Sequence, residues 1–315
     1  MVRSVALVLV LAASACGGRS DDDDDGNGGF AAVEGAPEVL SYGAVWSLGP
    51  DDVWLTAESG RIFHYDGATW SETALPTTDT MLGIWAFGPS DVWMAGGQTL
   101  ARYDGRDWTV TDLPQQDPGI EGIAAIWGSA PDDVWVVGSQ STAAHWDGGT
   151  WRRFIAAGTD NSAVWGSGPD DVYVVGIFEV ARWDGSAFAE VEVDHLLGAE
   201  GVWGAGPDDV WVADGSDEVA HYDGVAWEVT ELDVLGGPSR LWGRAADDVW
   251  GVGNFGSITH YDGNGWREVA AQVIGSPFLR SFHGIHGSAA GDLWVVGSES
   301  GEGGFTPLLW RRDPS

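Results

Sequence analysis

The chain of 315 residues has no lysine, a single cysteine (Cys16), and no long apolar run after its first fifteen residues. With one cysteine, no disulfide can form within the chain, so packing alone must hold the fold. Without a long apolar run beyond the N-terminus, no later segment can cross a bilayer as a helix. Without lysine, only 14 arginines face 48 acidic residues, and the formal net charge is −34. Such a surface repels nucleic-acid phosphates and anionic lipid headgroups and excludes both as primary partners. It also opposes self-association, so a monomer is expected.

The first fifteen residues read as a signal peptide. Arg3 supplies the positive start, Val5 to Ala13 the apolar stretch, and Ala13-Ser14-Ala15 the small residues before a cut. Cys16 follows at once. The arrangement resembles the lipobox of bacterial lipoproteins, in which the cysteine becomes the lipidated first residue. That family usually places Leu three positions before the cysteine, where this chain has Ala13. The resemblance implies a lipid-anchored protein of the bacterial cell envelope, at the outer membrane or cell surface. Ala13-Ser14-Ala15 also fits ordinary cleavage, which would leave a secreted soluble protein. Residues 16–29, with five consecutive aspartates and no apolar side chain after Cys16, read as a disordered acidic spacer.

What the sequence has in abundance is tryptophan, and its 20 copies are not scattered. A unit of the form VWGsGPDDVWvVG…HYDGxxW recurs from residue 30 onward. Its first aromatic falls at Trp46, Trp85, Trp127, Trp165, Trp203 and Trp242, with His286 in the seventh copy. The second lies eight residues on, at Trp54, Trp93, Trp135, Tyr173, Trp211, Trp250 and Trp294. Two further columns, one around the HYDG aromatic and one closing the unit, take the remaining tryptophans. A period of about 40 residues marks an array of supersecondary units.

Segments such as Asp133 to Gly138 are short, β-branched and aromatic, bounded by Gly, Pro and Asp. That composition predicts strands. Each unit supplies four: A ending at the first aromatic, B the DVWVV run, C ending at HYDG, and D starting at the fourth aromatic. Both faces of strand B are apolar and need cover, which stacked blades provide. The predicted fold is therefore an all-β, seven-bladed β-propeller, with blade cores at about 43–72, 82–112, 124–155, 162–193, 200–232, 239–270 and 283–312. The seventh unit lacks a D strand. Phe30-Ala31-Ala32-Val33-Glu34 matches the blade-four strand Phe188-Ala189-Glu190-Val191-Glu192 at four of five positions. Residues 30–34 are thus expected to complete the last blade and close the ring.

The unit resembles the BNR (Asp-box) repeats and the repeats of photosystem II assembly-factor-like propellers, and is similar to the tectonin repeat of lectins. The Asp-box has one residue between Asp and Gly, whereas here Asp directly precedes Gly, as in Tyr65-Asp66-Gly67. The resemblance covers residues 30–315 and implies a choice among sialidases, lectin-like binders and assembly factors, which a fold alone does not make.

Recurrence in every blade marks a residue as architecture. Asp52, Asp91, Asp133, Asp171, Asp209, Asp248 and Asp292 occupy the A–B turns and are expected to accept local backbone N–H bonds. Asp66, Asp104, Asp147, Asp184, Asp223 and Asp262 do the same in the C–D turns, each before a Gly free to take positive φ. No cofactor is expected. Calcium on a pair such as Asp170-Asp171 would find two carboxylates where it needs about six to eight oxygens. His283 and His286, three residues apart on a strand, are expected to point to opposite faces, which argues against a shared metal.

Recognition is expected on the other face of the disc, where the B–C loops and D–A connectors differ from blade to blade. Candidates are Gln98, Gln140, Phe178, Glu179, Asp217, Asn254 and Phe255 from B–C loops, and Gln116, Arg280, Phe282 and His283 from connectors. The seventh B–C loop, Ser298 to Pro307, reads as a glycine-rich flap. A sialidase-type site needs converging arginines and a free tyrosine. Here the arginines are scattered and the in-register tyrosines belong to structural columns. The sequence thus favours a non-catalytic, protein-binding scaffold, with a cell-surface carbohydrate-binding propeller as the alternative.

Overall fold

The computed structural model describes residues 29–113, 122–156, 158–177, 179–194, 196, 198–270, 279–301 and 303–314. The leader, Cys16, the aspartate run, Gln116 and Phe178 lie outside the described residues. The chain folds as seven sheets, each of four antiparallel strands ordered A-B-C-D. The A strands, Tyr42–Gly49, Gly83–Gly88, Ile123–Ala130, Asn161–Gly168, Gly201–Gly206, Pro238–Ala245 and Leu279–Gly287, stand side by side in a ring, with the last packed on the first. The protein is a seven-bladed β-propeller, as the period predicts.

Strand B carries the core. In Asp133–Gly138, Val134 to Val137 are all buried, although successive side chains point to opposite faces of the sheet. One face packs on the previous blade and the other on the next, so Val134 and Val136 belong to one apolar cluster and Trp135 and Val137 to another.

The seventh blade closes as expected. Its outer strand is Ala31–Ala32, paired antiparallel with Gly304–Arg312 so that Ala31 faces Arg311 and Ala32 faces Trp310. The Val33 N–H donates to the Leu309 carbonyl at 3.0 Å, and Phe30, 1% exposed, packs edge-on against Trp250 at 6.0 Å. The expected flap after strand B takes a different form. Leu293–Gly301 and Gly304–Arg312 pair down to Gly301 and Gly304, which makes Ser298 to Pro307 mostly an extended β-hairpin.

The turn aspartates divide into two kinds. In the C–D turns, one oxygen of Asp66 accepts the Ala68 and Thr69 N–H groups at 2.9 and 2.8 Å, and Asp104, Asp147, Asp184 and Asp223 repeat the pattern. Asp262 accepts from the Asn264 N–H. These bonds favour the ionised form and hold the carboxyls below their ordinary range. Asp184, which also accepts the Ser186 hydroxyl, is brought down to about 2.

Among the described residues, the A–B aspartates bond side chains and not local backbone N–H groups. Their carboxylates reach across strand B to a base on strand C: Asp52 to His64 at 2.8 Å, Asp91 to Arg102 by two bonds of 2.9 Å, and Asp209 to His221 at 3.0 Å. Asp133–His145, Asp171–Arg182 and Asp248–His260 follow suit. Each base also lies against the aromatic of strand B, as His221 stacks on Trp211 at 3.9 Å and Arg102 sits 4.7 Å over Trp93. The base is therefore held by a hydrogen bond to the carboxylate in one direction and by a ring face in the other, and the arginines Arg102 and Arg182 by charge as well. Blade seven departs from this: Asp292 accepts from the Ser47 and Ser288 hydroxyls and the Trp294 indole, while Arg311 lies over Trp294.

Glycine after the first aromatic has a steric cause. A Cβ on Gly204 would lie 2.5 Å from the Trp165 ring of the preceding blade, and one on Gly243 would lie 2.5 Å from Trp203. Gly166 and Gly287 stand in the same relation to Trp127 and Trp242. We expect Gly204→Ala to lower stability by roughly 1–3 kcal/mol through overpacking. Gly206→Ala, on the same strand with nothing within 4 Å of the added carbon, should change it by less than about 0.5 kcal/mol. Urea midpoints of the two variants check the pair, and equal midpoints would refute the packing account.

Candidate functional site

The seven A strands enclose a central channel with a cavity of about 270 Å³. Its floor, near the A–B turns, is a collar made by the first aromatic column. His286 stacks on Trp46 at 3.8 Å, Trp46 meets Trp85 edge-on at 4.9 Å, and Trp242 lies 5.7 Å from His286. Its mouth opens on the connector face, where the A strands begin.

Two residues before the collar, each A strand contributes one more residue to the channel lining. These are Ala44, Gly83, Ala125, Ala163, Gly201, Arg240 and Gly284. Six are small and one is arginine. Arg240 is the one charged residue among the described residues that line the channel. Its Nη1 donates to the Ser239 and Glu200 carbonyls at 2.7 and 3.1 Å, and among the described residues it makes no ion pair. The Glu200 carboxylate, which acts on it from a distance, leans over Gly215. Burial holds the guanidinium below its ordinary value, yet it remains a cation.

Both His283 and His286 line this channel, contrary to the expectation that they face opposite ways. A β-bulge between Phe282 and Gly284 inserts an extra residue and restores both to the same side. His283 Nε2 lies 3.0 Å from the Tyr42 carbonyl and so carries the proton. Burial, and more weakly the Arg240 cation, lowers its pKa. His286 Nδ1 accepts the Ser47 N–H at 3.0 Å, which leaves Nε2–H as a donor. Burial pushes its pKa down to about 3, against a weaker opposing effect of Asp292.

Ser47, His286 and Asp292 meet here, but not as a catalytic triad. The Ser47 hydroxyl donates directly to Asp292 at 2.6 Å, the imidazole bonds the Ser47 backbone instead, and Ser47 and Asp292 are buried. No base is in place to take the serine proton. Among the described residues, no three His, Cys, Asp or Glu side chains gather as metal ligands.

The other candidates are distributed around the rim of the connector face. Gln140 and Phe255 are exposed and held at positive φ, and Asn254 Oδ1 accepts the Ser281 hydroxyl at 2.9 Å. The Gln98 N–H donates to Asp79 at 3.1 Å, Glu179 accepts the Gly158 N–H, and Asp217 accepts the Ser216 hydroxyl at 3.2 Å. Arg280 is neutralised by Glu299 at 2.7 Å and lies over Trp310. Phe282 is not a surface residue: it is 1% exposed and packs on Trp310, because strand A of blade seven begins at Leu279, earlier than the connector assignment assumes.

The connector face is also where apolar surface is left uncovered. Of nine exposed large hydrophobics among the described residues, Leu40, Leu82, Ile155, Ile177, Leu235, Phe255, Leu279 and Phe305 lie on or beside it, and Val225 alone lies on the opposite face. They belong to different blades and are spread around that face of an otherwise acidic disc.

No family model matches the chain, and no curated protein matches it in sequence. Solved structures do match in shape. A structure described as YCF48 bound to D1 peptide superposes with a TM-score of 0.69 at 16% identity, covering 91% of this chain and 97% of that one. YCF48 from Cyanidioschyzon merolae gives 0.67 at 14%, covering 91% and 99%, and the WD40 propeller domain of Doa1 gives 0.68 at 10%, covering 85% and 92%. At these identities the likeness is one of fold.

Proposed function

We propose that this propeller is a non-catalytic scaffold that binds a protein partner through its connector face. The observation that carries the reading is that, of the exposed large apolar side chains among the described residues, all but Val225 lie on or beside that face. A propeller of the same shape described as bound to a peptide supports it. The Ser47–His286–Asp292 geometry and the dispersed arginines argue against hydrolysis. We place the protein at the bacterial cell envelope, held by a lipid on Cys16 and spaced from the membrane by the aspartate run, with secretion in soluble form as the other outcome of processing. Metabolic labelling with an alkyne fatty acid, compared between wild type and Cys16→Ala, separates the two.

The binding reading is checked by pull-down from envelope extract beside a glycan array. A variant carrying Leu82→Asp, Leu235→Asp and Phe255→Asp should lose the dominant captured protein by about tenfold or more, as removal of buried anchors does. Val225→Asp should leave capture unchanged. Clear glycan signals with no captured protein would replace the scaffold by a lectin.

A further inference from the structure

We infer that the central channel is a binding site for a small organic acid with an aromatic or apolar body, its carboxylate held by Arg240 and its body against the tryptophan collar. This goes beyond the scaffold reading and does not rest on it. In a protein of net charge −34, the channel wall holds a guanidinium and, among the described residues, no carboxylate. An arginine presents five N–H donors in a fork matched to a carboxylate. Two backbone carbonyls engage one nitrogen of Arg240, so the remaining donors have no protein acceptor among the described residues.

The position is also unlike its equivalents. Six blades put Gly or Ala at this height, where the strands approach closely: a Cβ on Gly83 would lie 2.9 Å from Ile126 and one on Gly201 2.8 Å from the Ser239 carbonyl, so of the seven only Arg240 brings a long side chain to the channel wall. Below it, Trp242 lies two residues down the same strand, about 6–7 Å away. The indole faces suit an apolar or aromatic body. His286 adds a neutral Nε2–H donor at collar level. The cavity, about 270 Å³, lies just below the usual range of small-molecule pockets and limits the ligand to one or two rings.

Two sources share this chemistry: a free small acid, and the terminal carboxylate of a peptide inserted from the connector face. The test uses the intact chain, calorimetry and the fluorescence of the collar tryptophans. The probes are benzoate and indole-3-acetate, their neutral amides, and Gly-Gly-Trp as free acid and as C-terminal amide. We expect at least one free acid to bind saturably and its matched amide to bind about tenfold or more weakly, as loss of a charge-assisted pair requires. Arg240→Gln should weaken the acid by a similar factor and leave the amide unchanged, with Arg240→Lys in between. Preference for the small acids identifies a free metabolite, and preference for the peptide acid identifies a chain end. Equal binding of acid and amide, saturable binding by no probe, or undiminished binding by Arg240→Gln would overturn the proposal. If Arg240→Gln fails to fold, the wild-type comparison of acid and amide decides.

Discussion

A chain shortened to begin at Gly35 will unfold at a markedly lower urea concentration than the full propeller, although it loses no residue of the first six blades. Residues 30–34 supply the outer strand of the seventh blade, and without them the edge from Leu309 to Arg311 is unpaired. Phe30 leaves an empty site beside Trp250, Phe282 and Trp310, in the cluster that joins blades six and seven. Phe30→Ala alone should lower stability by about 3–5 kcal/mol, the usual loss for truncating a buried phenylalanine. A synthetic peptide of residues 29–36, added to the shortened chain, should restore much of the loss in proportion to its concentration. A shortened chain with an unchanged midpoint would mean that the ring holds by blade packing alone.

The second large effect is on pH. The His286 pKa is about 3 in the fold against about 6.5 in an unfolded chain, because burial in the channel disfavours the imidazolium. Between those values the unfolded state binds a proton that the folded state refuses. Stability is therefore full above about pH 6.5 and falls with pH by up to roughly 1.4 kcal/mol per unit, levelling near pH 3. His260 and His283, also lowered by burial, act in the same sense, so the diagnostic is a difference between two chains. His286→Gln keeps an acceptor for the Ser47 N–H and removes the titration. Its urea midpoint should depend less steeply on pH between 6.5 and 4 than that of the wild type. Parallel slopes would show that His286 is protonated in the fold without penalty.

The seven-fold architecture could be read from the tryptophan columns because each blade repeats the same packing problem. Even the closing strand was legible, since Phe30 answers Phe188 in a repeat where an outer strand was missing. The channel was less so. Counting by twos put His283 and His286 on opposite faces, and a bulge, which adds a residue without a composition signature, put them on the same one. The apolar pattern does not say where strand A begins, so by sequence Phe282 reads as a connector residue. Arg240 lies on a strand, outside the loops where recognition is expected, yet the sequence carries its signal: it alone breaks a column of Gly and Ala at a fixed distance before the first aromatic. The A–B aspartates were seen as recurrent, but their partners lie eleven or twelve residues away, at His64, Arg102 and their equivalents. Only cross-strand register makes that spacing meaningful.

The outer strand of a blade lies at the circumference of the disc, and Ala31–Ala32 is such a strand. Whatever the chain is attached to upstream therefore holds the propeller by its edge, as a plate is held by the rim. A pull on the leading segment reaches the clasp of the ring before it reaches any other blade.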